Sequence, residues 1–468
     1  MKIAFLHYHL KTGGVTTVIR QQIEAIQHDC ETLAIAGEAT PEFHDPVTIV
    51  PGIAYDRKKN LSSSPEATAS QIITSIKKKW PNGCDILHVH NPLLAKNKNF
   101  LQVLKILQAE GIKLFLQIHD FAEDGRPLSY FPEEYPADCH YGVINSRDYR
   151  NLLETGLLKK GLHLIPNMVN PLSDEAADCE LKNFVLYPVR AIRRKNIGEA
   201  ILLSLFFKNR ETLAITLPPN SRSDILSYNG WKKFVKKENL PIAFEASAKY
   251  DFPALVSGSN YLITTSITEG FGFSFLEPWT AGKALSGRNL PDITIDFQKK
   301  GVRLDRLYTD LNIPIDWIGK QKLYLKIKST IAEACELFKY SSENLDIKTI
   351  FEKIIAKNRV DFGLLDENFQ KQIISKVLCS RKHSDQLISV NPCLLNFNGS
   401  ASTDLIKQNK NAIRENYGTE IYRNNLLKIY KKIQKNKVVQ NIDKTNLFFL
   451  FLNPERLNLL KWSNYAES

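Results

Sequence analysis

The chain is expected to be an α/β protein. It should be built from two Rossmann-like, doubly wound parallel-sheet domains facing an interdomain cleft, with a helical C-terminal elaboration. Three observations predict this. Short apolar runs alternate with amphipathic segments from the first residue onward. The same alternation restarts near residue 184. At 468 residues the chain is long enough for two or three separate cores.

In the first half, residues 2–8, 85–90, 113–120, 141–146 and 162–166 read as strands. They are rich in Ile, Leu, Val and Phe and lack strict polar alternation, as strands covered on both faces do. Between them lie helical patterns: Val15, Val18, Ile19, Ile23 and Ile26 recur at helical spacing, and Ser146 can cap a helix that stops at Gly156. In the second half, 184–189, 213–217, 242–246 and 261–266 read as strands, and 196–207 as a helix. The two halves meet in a polar, proline-containing hinge at 167–183. After residue 295 the pattern changes. Residues 320–390 are mostly helical and lysine-rich, 405–433 is a long amphipathic stretch, and 447–452 is an apolar run. The domains are therefore 1–170, 171–400 with the elaboration over about 295–400, and 401–468.

Composition narrows the class. With 43% hydrophobic and 24% charged residues the chain is ordinary for a soluble globular protein. Its seven scattered cysteines include no C-x-x-C pair, which argues for reduced thiols and a cytoplasmic location rather than a disulfide framework or zinc site. The N-terminus turns polar too early for a signal peptide, and no apolar run approaches a membrane span. The net charge of +12 suits anionic partners, but no nucleic-acid signature accompanies it. The apolar run at 447–452 either packs on the core or dips into a membrane surface beside nearby lysines, which leaves a peripheral contact at the inner membrane surface open.

Chemistry concentrates at strand ends. Residues 269–277 read Glu269-Gly-Phe-Gly-Phe-Ser-Phe-Leu-Glu277. Glu269 falls in a strand-to-helix loop and Glu277 in the first turns of a helix, so both can face one cleft. Ionised carboxylates are pure acceptors and suit a polyhydroxylated ligand. Lys11-Thr-Gly13-Gly14 follows the first strand and opens a helix, where glycines let backbone N–H groups approach a phosphate or sugar. Arg190 and Lys195 follow the first strand of the second domain and suit a diphosphate, with Arg193 and Arg194 turned to solvent. His119 ends a strand and can hydrogen-bond a sugar. The pairs His7/His9 and His88/His90 could be imagined around a metal, but no carboxylate stands at ligand spacing, and no metal site is expected. The P-loop, G-x-G-x-x-G, D-x-D and G-x-S-x-G motifs are absent from the sequence.

Taken in order, the E-x7-E motif, Arg190 with Lys195, Gly13-Gly14 after strand one, Ile165-Pro-Asn167 before the hinge, and His119 resemble the retaining GT-B glycosyltransferases of glycosyltransferase family 4, relatives of the glycogen synthases. The resemblance covers about residues 1–290 and the final long helix, which would return toward the first domain. It implies a metal-independent hexosyltransferase with a nucleoside-diphosphate sugar as co-substrate and no cofactor. Glu269 would contact the donor-sugar hydroxyls and Glu277 the ribose. Arg190 and Lys195 would neutralise the diphosphate. Gly14 would approach the diphosphate or acceptor, and His119 would sit by the reacting sugar. Backbone amides around Phe271, Gly272 and Phe273 would contact sugar or phosphate. Residues 282–291 depart from the family pattern, and there Arg288, with Lys11 at the glycine loop, becomes a candidate contact for the acceptor. That acceptor could be a small molecule, a lipid or a glycan. An epimerase or phosphorylase of the same fold, or a noncatalytic nucleotide-sugar-binding subunit, are the alternatives.

Overall fold

A computed structural model describes residues 1–41, 43, 46–56, 63–172, 182–397 and 401–463. The chain divides into two compact units. The first joins Met1–Met168 to Glu415–Leu452, and the second joins Val169–Arg414 to Asn453–Ser468. Most of the hinge expected at 167–183 lies outside the described residues.

Among its described residues the first unit holds seven strands: β1 (Lys2–His7), β2 (Glu31–Ala36), β3 (Val47–Ile49), β4 (Ile86–His90), β5 (Leu114–Ile118), β6 (His140–Val143) and β7 (Leu162–Leu164). They run parallel in the order β3-β2-β1-β4-β5-β6-β7. Four helices join them: α1 (Gly14–Ile26), α2 (Pro65–Lys79), α3 (Phe100–Ala109) and α4 (Ser146–Glu154). Leu87, Leu116, Tyr141 and the apolar faces of α2 and α3 make one core layer; Ile3, Phe5, Phe115 and α1 make the other. Burial on both faces explains why the strand sequences are continuously apolar.

The second unit repeats the plan. Its strands are β8 (Phe184–Arg190), β9 (Thr212–Leu217), β10 (Ile242–Ala243), β11 (Leu262–Thr264), β12 (Leu285–Arg288) and β13 (Leu307–Tyr308). They run parallel in the order β10-β9-β8-β11-β12-β13. Pro188 lies inside β8, and the register with β9 shifts between Tyr187 and Arg190. A proline cannot donate to the ladder, so the regular pairing is interrupted there. Between and after these strands come α5 (Ile197–Ser204), α6 (Arg222–Lys237), α7 (Phe252–Gly258), α8 (Glu277–Thr280) and α9 (Pro291–Gln298).

Past residue 298 the structure is richer than its helical pattern. A two-stranded antiparallel ribbon, β14 (Asn312–Pro314) with β15 (Arg359–Asp361), accompanies α10 (Lys320–Leu337), α11 (Ile347–Ile354), α12 (Glu367–Cys379) and α13 (Arg381–Val390). The stretch expected as one helix at 405–433 is two, α14 (Thr403–Tyr417) and α15 (Thr419–Lys435), divided at Gly418. Helix α15 buries Tyr422, Leu426, Ile429, Tyr430 and Ile433 against β1, β5 and α1, completing the first unit. Helix α16 (Lys444–Leu452) contains the apolar run. Its Leu447, Phe448, Phe451 and Leu452 are buried, so the run is spent on packing within the first unit. A last short helix, α17 (Leu459–Trp462), lies on the second unit. No helix among the described residues is long and apolar enough to cross a membrane.

One local expectation is corrected. Helix α4 is capped by Asn145, whose side chain accepts from the Asp148 N–H at 2.7 Å, and Ser146 is its first helical residue. Both residue types cap well; Asn145 has the extended backbone that the cap needs. Among the described cysteines, Cys30, Cys139 and Cys335 are buried free thiols and Cys379 is exposed.

Candidate functional site

Both sheets reverse their strand order beside the first strand of the unit, between β1 and β4 and between β8 and β11. At such a point the loops leaving two neighbouring strands diverge and open a crevice at their carboxyl ends. In the second unit β8 ends on Arg190 and the loop after it carries Ala191 to Asn196, and the loop after β11 carries Ser266 to Phe273. Two motifs 74 residues apart in sequence thus meet: Lys195 Nζ donates to Glu269 Oε1, both side chains largely buried.

Electrostatics follow from this placement. Burial alone would push the Glu269 carboxyl up. The Lys195 ammonium, the Arg194 guanidinium and hydrogen bonds from Lys195 and Ser266 more than offset it and hold Glu269 below the usual range. Glu277, the first residue of α8, has only the Lys195 charge against its burial and is pushed up to about 7. Lys195 therefore acts on both carboxylates, one kept ionised and one poised near neutrality.

The Lys195 loop is held from behind. The Tyr187 hydroxyl donates to the Lys195 carbonyl at 2.5 Å, and Thr265 Oγ1 reaches the Lys195 and Asn196 carbonyls at 3.1 and 3.0 Å. Asn196 sits in the left-handed region at φ 50, where Asn is tolerated. Its amide donates to Glu199 and its carbonyl accepts from Gln370 of α12, each at 2.8 Å. Glu199 in turn receives the Arg288 guanidinium through two bonds of 2.7 Å, and Asp361 of β15 receives its other edge through two bonds of 2.8 Å. Tyr308 adds a third donor to Glu199 at 2.6 Å.

Arg288 is thus not available to an acceptor. It is buried in a fully satisfied ionic cluster, and its role is to fix the floor under the Lys195 loop. Arg190 stands at the end of β8, exposed, with its guanidinium donating to the Pro218 carbonyl at 2.9 Å. Of the two expected cations, Lys195 is the one brought against the carboxylates. Arg193 and Arg194 do not simply face solvent: Arg193 is half-buried and bonds the Ser463 carbonyl at 3.0 Å, while Arg194 contributes its charge to Glu269. The turn between the carboxylates bends at Gly272, φ 93, where a Cβ would stand 2.9 Å from the Phe275 ring. Phe271 and Phe273 flank it with ring centroids 4.9 Å apart.

In the first unit, α1 opens at Gly13–Gly14 with no side-chain cap and no acidic residue in its first turn. Neither glycine lies in the left-handed region, Gly13 being extended at φ 169, and a Cβ on Gly14 would meet nothing within 4 Å. The fold itself makes no demand for glycine there, so the space is left open beside helix N–H groups. Lys11 pairs with Glu38. His119 is buried and stacked on His90, ring centroids 5.2 Å apart, with a 2.9 Å contact between its Nε2 and His90 Nδ1. Burial lowers His119 to about 4, with Asp120 opposing, so it is a neutral hydrogen-bonding group at neutral pH. His88 bonds Tyr430 of α15 at 2.8 Å and Gln117 at 2.9 Å, which makes the His-x-His residues core partners. Among the described residues no group of three His, Cys, Asp or Glu side chains is arranged to hold a metal ion.

Two parallel sheets sharing one strand order, with helices on their faces and a chain that returns to the first unit, define the GT-B fold of glycosyltransferases. Sucrose-phosphate synthase from Thermosynechococcus elongatus superposes with a TM-score of 0.53 at 13% identity, over 92% of this chain and 98% of that one. HepE of Anabaena, solved with UDP and glucose, gives 0.53 at 11% identity, over 92% and 99% of the two chains. In sequence, the mannosylglucosyl-3-phosphoglycerate synthase of Petrotoga mobilis is 27% identical over 412 residues, 78% of this chain and 79% of that protein. No model of a known protein family matches the chain.

Proposed function

We propose that the chain is a retaining, metal-independent glycosyltransferase that moves a hexose from a nucleoside-diphosphate sugar to a phosphorylated small-molecule acceptor. The observation that carries this reading is the Lys195–Glu269 pair, with Glu277 beside it, at the strand-order reversal of the second unit. Lys195, aided by Arg190, would take the diphosphate as negative charge grows on the leaving group; a preformed cation is most effective where charge develops. Glu269, ionised, would accept from hexose hydroxyls, and Glu277 from the ribose. The amides of the Phe271–Phe273 turn would approach the sugar, and Gly13–Gly14 the phosphates or the acceptor. His119, being neutral, would act as a hydrogen-bond partner of a sugar rather than as a cation. The similarity to a mannosylglucosyl-3-phosphoglycerate synthase supports transfer of a hexose and an acceptor of the phosphoglycerate type.

The test is thermal denaturation with a panel of nucleoside-diphosphate hexoses, followed by transfer assays with and without a chelator. A bound donor at 100 times its Kd adds about 2.7 kcal/mol to stability. One donor should raise Tm, transfer should survive chelation, and the product anomer should match the donor's. Lys195→Met should remove the Tm shift. A variant that binds the diphosphate as the wild type does would refute the assignment.

A further inference from the structure

Beyond the carboxyl ends of β4 and β5, two cations outside every sequence motif are held side by side. Lys96 lies on the loop after β4 and Arg126 on the loop after β5. The loops are joined directly: the Ala95 N–H donates to the Ser129 carbonyl at 2.8 Å, and the Ser129 N–H to the Arg126 carbonyl at 2.9 Å. The Arg126 guanidinium is set by the Phe121 carbonyl at 2.9 Å and Asp120 Oδ1 at 2.6 Å. Asn91, at φ 51, fixes the start of the same surface, its Oδ1 accepting from the His119 and Asp120 N–H groups at 2.8 and 3.0 Å. The Lys96 backbone is pinned by the Asp56 N–H, which donates to its carbonyl at 2.9 Å.

The Lys96 ammonium is half-buried and has neither a hydrogen-bond nor an ion-pair partner among the described residues. Burial and the nearby Arg126 charge hold it below the usual lysine range, while Asp120 opposes them. A half-buried, unpaired ammonium next to a second cation is an unfavourable arrangement that an oxyanion relieves. Its address, past the strand ends of a doubly wound sheet, is where ligands bind in such folds.

We infer that Lys96 and Arg126 form the seat for the phosphate monoester of the acceptor, a seat that no sequence motif marks. This rests on the glycosyltransferase reading, whose acceptor it specifies. The phosphate would bridge the ammonium, a compact point charge, and the guanidinium fixed by Asp120.

The probes are 3-phosphoglycerate and its dephosphorylated form, glycerate, titrated calorimetrically into the full chain. 3-Phosphoglycerate should bind at least about tenfold tighter than glycerate. Inorganic phosphate should compete with it. Lys96→Gln should weaken 3-phosphoglycerate about tenfold or more, and Lys96→Arg should restore it. Equal affinity for the two probes, absence of phosphate competition, or unchanged affinity in Lys96→Gln overturns the seat. Nucleotide-sugar binding by the same preparation separates the two ideas. Donor binding without phosphate discrimination sinks the seat alone. Phosphate discrimination through Lys96 without any donor binding sinks the transferase reading alone.

Discussion

Acidification should undo the first unit well before it touches ordinary carboxylates. Burial lowers His7 and His88 to about 3 and His119 to about 4, from an ordinary 6.5, and moves His90 in the same direction. The charges facing them are mostly one another: His9 and His119 repel His7, His119 repels His88, all three partners repel His90, and Asp120 favours the charged form of His119. Depressed folded values mean that the unfolded chain binds more protons between about 3 and 6.5, so stability is fully present above 6.5 and falls as pH falls through that window. At pH 5 each of the three groups costs about 2 kcal/mol relative to pH 8, roughly 6 kcal/mol together. That is comparable with the whole stability of a typical domain. Urea denaturation at stepped pH, read by hydrogen exchange on β1, β4 and β5, measures it. His88→Gln should reduce the pH slope by about a fifth, because His90 and His163 of the same unit are lowered as well. An unchanged midpoint between pH 8 and pH 5, or equal slopes in wild type and His88→Gln, would refute the reasoning.

Two further outcomes are expected. Glu277, poised at about 7, accepts hydroxyl donors best when ionised, so nucleoside-diphosphate affinity should decline as pH drops through 7. Glu277→Gln should flatten that profile in an isothermal titration series. Asp361→Ala leaves Arg288 buried with Glu199 alone and should cost about 3–5 kcal/mol in chemical denaturation. It should also loosen the Lys195 loop, seen as weaker donor binding at temperatures where the variant is still folded.

The elements legible in the sequence were those whose signal is local. Strands such as β1, β4, β5 and β8 are dominated by large apolar residues, and Lys195 with Glu269 could be paired because each follows such a run. Strand β2 was missed because Glu31-Thr-Leu-Ala-Ile-Ala opens on two polar residues and holds only two large apolar side chains, and β13, β14 and β15 because two or three residues carry no period. Arg288 misled because its partners, Glu199 and Asp361, lie 89 and 73 residues away. Its strand, Leu285-Ser-Gly-Arg288, carries no apolar pattern that would mark the arginine as buried, and a buried arginine is kept only by paired charges. Lys96 and Arg126 sit on loops without motif or periodicity, and only the pairing of those loops brings them together.

That α15 and α16 belong to the first unit has a consequence for synthesis on the ribosome. The second unit's Val169–Arg414 stretch emerges as one continuous piece and can close its sheet as soon as it is released. The earlier-made Met1–Met168 must wait, with the surface destined for Tyr422, Leu426 and Tyr430 uncovered, until the chain is almost finished. Fully burying five such side chains is worth on the order of 10 kcal/mol. A nascent chain stalled before residue 419 therefore displays a sticky, incomplete amino-terminal half beside a carboxyl-terminal half whose sheet has formed but which still lacks Leu459, Leu460 and Trp462 of α17.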